Sequence, residues 1–63
     1  MAKVTLAGAR VSAGLTQKEM AEKLEVSRKS VNDWESGKTQ IRAVNLYAIC
    51  KLTGFEPDDI ILP

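Results

Sequence analysis

Residues 16–37 read TQKEMAEKLEVSRKSVNDWESG and decide the fold. Thr16 opens a capping box, because its hydroxyl can accept a hydrogen bond from the Glu19 amide while the Glu19 carboxylate accepts one from the Thr16 amide. Ser27 is typical of a second helix N-cap. Only two residues separate it from Leu24, where the helical pattern that follows Thr16 ends. Two helices joined by so short a turn cross steeply, so the sequence predicts a helix-turn-helix over residues 16–35.

Three further helices surround this pair in the prediction. One runs from Val4 to Ala13 and another from Ala43 to Thr53, and each is followed by a glycine that can adopt the left-handed conformation at a helix C-terminus. Pro57 stands at the first position of a short fifth helix. A chain of 63 residues holds one domain near the lower limit of independent folding. We therefore expect a single compact all-α domain of five helices over residues 1–63.

Helical spacing of the apolar residues predicts which side chains form the core. Val31 and Trp34 anchor the inward side of the third helix, and Met20 and Ala21 that of the second. The full predicted inward set is Leu6, Ala9, Arg10, Ala13, Met20, Ala21, Leu24, Val31, Trp34, Leu46, Ile49, Cys50 and Leu52.

Composition argues against several classes of function. The chain has one cysteine, Cys50, and no histidine, so we expect neither a disulfide nor a metal site. Without a nucleophile–base pair or a glycine-rich phosphate loop, we expect no enzyme activity and no cofactor or small-molecule ligand. No apolar run approaches the roughly 20 residues that cross a bilayer, and no signal-peptide pattern is present. These features predict a soluble cytoplasmic protein with no membrane partner.

The net charge of +1 conceals an uneven distribution of charge. Basic residues dominate up to Lys18 and again from Arg28 to Arg42, whereas the acidic residues gather at 19–25 and 56–59. Segregated charge of this kind can present a basic face to phosphates. It is also typical of ordinary solvated helix faces, and the charge pattern alone favours that second interpretation.

A helical wheel of residues 28–35, at about 100° per residue, separates two faces of the third helix. Val31 and Trp34 fall on one side. Arg28, Lys29, Asn32 and Asp33 fall on the other. Arginine and lysine can donate to guanine O6 and N7, and asparagine can pair with adenine N6 and N7. The polar side is therefore either a base-reading face or a solvated one.

The sequence resembles the phage repressor and Cro class of helix-turn-helix domains, the Xre family. The stretch GLTQKEMAEKL over residues 14–24 is similar to that family's second helix, and VSRKSV over residues 26–31 to its turn and recognition helix. WESGK over residues 34–38 matches the family's common ending of that helix, and the similarity extends from about Leu6 to Ile60. The resemblance implies a lambda-repressor-like fold and binding of double-stranded DNA.

The resemblance also implies roles for individual residues. Arg10 and Glu35 match a pair that forms a salt bridge in several members. Among the expected base contacts, Ser27, Arg28, Lys29 and Asn32 occupy positions that the family uses, and Asp33 is added for its own chemistry. Among the expected phosphate contacts, Gln17, Lys38 and Thr39 occupy such positions, and Ser30 and Arg42 are added because their side chains can donate to phosphate.

The sequence departs from the family pattern in three places, one of which covers two residues. Glu25 replaces the glycine usual in the turn, which costs about 1 kcal/mol if the residue is left-handed. Ile41 and Arg42 stand where the family often has Pro-Ser, so the fourth helix lacks a serine cap. Asp33 puts a carboxylate on the polar side, where it can accept from a cytosine amino group, orient Lys29 or Arg28, or discourage binding to wrong sites.

These features predict a sequence-specific DNA-binding transcription regulator, a repressor that binds a palindromic operator as a homodimer with the third helix in the major groove. Phe55 and residues 60–62 are the candidate dimer surface, although Phe55 and Ile60 can instead complete the core. The alternative is a helical protein-interaction module, such as an antitoxin-like or accessory component, with weak or no DNA binding. The low net charge and Asp33 favour that alternative.

Overall fold

The computed structural model describes residues 3–63 and confirms an all-α helix-turn-helix fold. Four helices form it: α1 (Leu6–Ser12), α2 (Gln17–Leu24), α3 (Arg28–Ser36) and α4 (Ala43–Thr53). The predicted fifth helix is wrong, because residues Pro57–Asp59 form only one turn of 3-10 helix. α2 and α3 make the most extensive contact between elements, as the short turn between them requires.

Both predicted N-caps of the helix-turn-helix are present. The Thr16 hydroxyl accepts from the Glu19 amide over 3.0 Å, and the Thr16 amide donates to the Glu19 carboxylate over 2.9 Å. The Ser27 hydroxyl accepts from the Ser30 amide over 3.1 Å. These bonds satisfy amides that have no partner inside their own helix, so the start of each helix is set by local sequence.

The turn between α2 and α3 contains a left-handed residue that is not glycine. Glu25 has φ 57° and ψ 42°, as the family pattern implied for this position. The following amide, of Val26, donates to the Ala21 carbonyl over 3.0 Å and closes the turn. The strain at Glu25 is therefore retained because the bonds around the turn hold it there.

The first and last segments of the domain are paired as two short strands, which the sequence did not predict. β1 (Val4–Thr5) lies parallel to β2 (Ile60–Ile61), with Val4 opposite Ile60. Val4 is thus not helical, and α1 begins after Thr5, whose hydroxyl accepts from the Gly8 amide over 2.9 Å. β-Branched residues favour extended pairing, which also explains why the 3-10 turn does not continue as a helix.

The core lies where all four helices meet. Its buried apolar members are Leu6, Ala9, Met20, Ala21, Val31, Trp34, Ile41, Ile49, Cys50 and Ile60. Most of the predicted inward positions are among them or half-buried beside them, but Ala13 is exposed. Ala13 is the C-cap residue that follows α1, and it is exposed at the end of the helix.

No helix within residues 3–63 is both long enough and apolar enough to cross a membrane.

Candidate nucleic-acid interface

Three polar side chains project from one face of α3. Arg28, Lys29 and Asn32 are all exposed, whereas Val31 and Trp34 on the opposite face are buried in the core. Because the apolar face is held by the interior, the polar face is directed outward. We call Arg28, Lys29 and Asn32 the recognition face.

Ser36 extends this face by one turn and was missed from the sequence. At about 100° per residue it falls between Asn32 and Lys29 on the wheel, and it is exposed. Its hydroxyl donates to the Asp33 carbonyl over 3.3 Å. Carrying the wheel one residue further would have found it.

Asp33 does not lie on the exposed side as predicted. It is only 9% exposed, and its carboxylate accepts from the Lys29 ammonium over 2.8 Å. The Asp33 carbonyl accepts from the Thr39 amide over 3.3 Å, so the chain after α3 folds back along this edge of the helix. A wheel of one helix cannot show that a later loop returns over it. Asp33 is therefore not placed for a base contact, and of the proposed alternatives the geometry matches orientation of Lys29.

Arg10 and Glu35 form an ion pair that joins α1 to the end of α3. Arg10 Nε lies 2.7 Å from Glu35 Oε2, and a second guanidinium nitrogen lies 3.3 Å from Oε1. The two side chains are only 14% and 10% exposed. The remaining guanidinium nitrogen of Arg10, Nη1, donates to the Leu15 carbonyl over 2.8 Å. Mostly buried charges require such partners, and this pair holds α3 at a defined angle to α1.

Gln17 extends this pair to the recognition face. Its side-chain nitrogen donates to Glu35 Oε1 over 3.0 Å and to Asn32 Oδ1 over 3.3 Å. An amide NH₂ has two hydrogens, so both are used inside the protein. The side-chain oxygen of Gln17 is an acceptor and cannot donate to a phosphate. A phosphate contact from the Gln17 side chain therefore requires one of these bonds to break.

The two predicted serine contacts are also bound to each other. Ser27 Oγ and Ser30 Oγ lie 3.0 Å apart at the start of α3, with Ser27 exposed and Ser30 half-buried. Either hydroxyl can still turn toward a ligand because each has further hydrogen-bonding capacity.

Basic side chains lie near both ends of the recognition face. Lys38, Thr39 and Arg42 are exposed in the loop after α3. At the other end, Lys18 lines a concave surface together with Arg28. Lys18 was not among the predicted contacts, although a lysine in the first turn of a helix that faces DNA is a signal for one.

Two side chains outside this face have displaced pKa values. Hydrogen bonds from the Thr16 amide, and then from its hydroxyl, hold the pKa of Glu19 below its ordinary value. Burial, followed by the nearby charges of Glu56 and Asp59, raises the pKa of the Cys50 thiol. A raised pKa disfavours the thiolate, which is the nucleophilic form.

Comparison of the sequence with known protein families identifies a match. A family model described as helix-turn-helix matches residues 6–60, which is nearly the whole chain. Curated proteins give no match.

Proposed function

The chain belongs to the Cro/Xre-type helix-turn-helix family of DNA-binding transcription regulators, and we propose that it is a sequence-specific repressor that binds a palindromic operator as a dimer. The recognition face is the observation that carries this proposal. Its three side chains are exposed while the other side of α3 is fixed in the core. The major groove, roughly 12 Å wide, admits a helix in this orientation.

Each residue of the recognition face has a matching base edge. The Arg28 guanidinium can donate two parallel bonds to guanine O6 and N7. Asn32 can pair with adenine, because its NH₂ group keeps both donors and its oxygen keeps one lone pair after accepting from Gln17. Lys29 can donate to guanine. Ser27 stands at the start of the helix, within the same groove.

Side chains that can contact the DNA backbone lie at both ends of α3, which supports placing α3 in the groove. Lys38, Thr39 and Arg42 follow the helix, and Lys18 lies at the start of α2. The unpaired amides of a helix's first turn add a partial positive charge that attracts phosphate. We propose that the α2 end contacts phosphate through Lys18 and backbone amides, and through the Gln17 side chain only if it leaves Asn32 or Glu35.

The C-terminal segment supplies a surface for a second copy. Ile61 and Leu62 are 50% and 42% exposed, while Ile60 is 9% exposed and belongs to the core. A contact by one small domain is weak, so two copies related by a two-fold axis are expected to bind half-sites about one helical turn apart. Burial of Ile61 and Leu62 between the copies would favour such a dimer.

Selection of duplexes from a random pool, followed by titration of the selected and of random-sequence DNA over a range of salt, tests the proposal. We expect a selected palindrome to bind more tightly than random sequence, and affinity to fall steeply as salt rises. Lys29→Ala should reduce discrimination between sites, whereas Lys51→Ala, an equal charge change on exposed α4 surface, should not. Absence of duplex binding at low salt would favour a protein-interaction module instead.

A further inference from the structure

The pairing of Lys29 with Asp33 combines an exposed and a buried charge. The Lys29 side chain is 74% exposed and that of Asp33 is 12% exposed, with 2.8 Å between ammonium and carboxylate. The Asp33 side chain is about as enclosed as those of Arg10 and Glu35, whose charges are also paired. The enclosed Asp33 side chain has little freedom to move, whereas the exposed Lys29 side chain has much, so the carboxylate restrains the lysine rather than the reverse.

This pair contributes only weakly to helix stability. Residues four apart on a helix stabilise it best when the acid precedes the base, and here Lys29 precedes Asp33. The pair therefore has the less favourable order for the helix dipole. Its consequence for the recognition face is larger, because it determines where the Lys29 ammonium lies.

The bond leaves Lys29 able to read a base. An ammonium has three hydrogens, and one is directed at Asp33. The other two remain for acceptors in the groove, from a position restrained by a carboxylate that is only 12% exposed. A free lysine would instead sample many rotamers and reach phosphates as readily as bases.

The bond also changes the electrostatics of the face. Lys29 and Asp33 together carry no net charge, so Arg28 is the remaining uncompensated cation of the recognition face. Binding to random sequence depends mainly on the number of phosphates that cations neutralise. A paired lysine contributes less to that binding while keeping its donors for a specific base.

We propose that Asp33 is a specificity-determining positioning residue, which tethers the Lys29 ammonium for base contact and withholds its charge from phosphates. This inference rests on the proposed function, since it concerns how the same face discriminates between DNA sites. Asp33 itself touches no base.

Asp33→Asn tests the inference, because it removes the charge with little change in shape. We expect affinity for random-sequence duplex at 50–100 mM salt to rise about fivefold to tenfold, and the slope of log affinity against log salt to steepen by about 0.9, as for one added phosphate contact. Preference at the base read by Lys29 should fall at least about fivefold. Glu22→Gln, the same charge change on the exposed surface of α2, is the matched control and should leave site preference unchanged.

A second pair of variants separates positioning from a general effect on folding. In a Lys29→Met background, Asp33→Asn should no longer alter site preference or the salt slope, and far-UV circular dichroism should show each variant folded at the assay temperature. The inference is overturned if Asp33→Asn changes site preference and salt slope equally in the unmodified protein and in the Lys29→Met background. It is also overturned if Asp33→Asn and Glu22→Gln change them equally. If the unmodified protein binds no duplex, the proposed function fails first. If it binds selectively and Asp33→Asn changes nothing, only this inference fails.

Discussion

The side-chain amide of Gln17, at the start of α2, donates to the side-chain oxygen of Asn32 on α3 over 3.3 Å. The same nitrogen donates to Glu35, which pairs with Arg10 on α1. A mostly buried ion pair thus orients an amide, and that amide orients an exposed side chain of the recognition face. The packing of three helices is in this way connected to the conformation of a residue proposed to contact DNA.

Gln17→Ala should reduce preference at the one base position read by Asn32. Loss of the Gln17 hydrogen bond frees the Asn32 amide to rotate. We expect discrimination between bases at that position to fall about fivefold, which corresponds to one hydrogen bond of about 1 kcal/mol. Binding to single-base variants of the selected site measures this. In a double-mutant cycle, Gln17→Ala should add little to Asn32→Ala. Uniform weakening of all sequences would instead identify Gln17 as a phosphate contact only.

Glu25→Gly should stabilise the domain by about 1 kcal/mol, because glycine adopts the left-handed conformation without the side-chain penalty. For a domain of this size that corresponds to an increase in Tm of roughly 4–8 °C by calorimetry. Glu22→Gly is the matched control: it lies inside α2 with ordinary helical geometry and should destabilise by about 1 kcal/mol. A clear loss of stability in Glu25→Gly would show that the turn depends on the glutamate side chain.

Removing either member of the Arg10–Glu35 pair should destabilise the protein by about 3 kcal/mol, since the remaining charge stays largely buried without its partner. Urea unfolding of Arg10→Met and Glu35→Gln measures the effect. The double variant should be considerably more stable than the sum of the two single losses predicts. Additive losses would contradict a coupled pair.

Lowering the pH should weaken the start of α2 through Glu19. Because the folded state lowers the pKa of Glu19 from 4.5, its contribution to stability is complete above that value and is lost as the pH falls through the lower folded pKa. Glu19→Gln keeps a neutral capping partner and should show a shallower loss of Tm below about pH 4.5. Identical acid profiles for the two proteins would rule out this role of the carboxylate.

Ile61→Lys should weaken binding to a palindrome about tenfold or more while leaving half-site affinity and Tm nearly unchanged, if Ile61 contacts a second copy. Val11→Lys, a similar change at an exposed position of α1, is the control. Gel-shift titration of palindromic and half-site duplexes separates these outcomes. An equal effect of the two variants on the palindrome would argue against a dimer surface at Ile61.

Local sequence predicted the helix-turn-helix well because its signals act within a few residues. The Thr16 and Ser27 caps follow from contacts inside one helix start, and the inward face of Val31 and Trp34 follows from the period of one helix. The left-handed turn at Glu25 was anticipated through the family pattern. Hydrogen-bond capacity and backbone sterics determine these features before any distant part of the chain approaches. The Arg10–Glu35 pair was anticipated through family resemblance, since no rule of spacing links residues on different helices.

Tertiary structure alone decided the features that join distant parts of the chain. The pairing of β1 with β2 brings Val4 and Thr5 beside Ile60 and Ile61 and replaces the expected helical start at Val4. The Thr39 amide, after the end of α3, donates to the Asp33 carbonyl, and Gln17 meets Asn32 only because α2 and α3 cross at their observed angle. The sequence by itself determined which residues can form the recognition face. The folded structure determined which of these side chains are hydrogen-bonded to neighbours, as Lys29 is to Asp33 and Asn32 is to Gln17. The bond between Asn32 and Gln17 depends on how the helices pack, because it joins side chains from different elements.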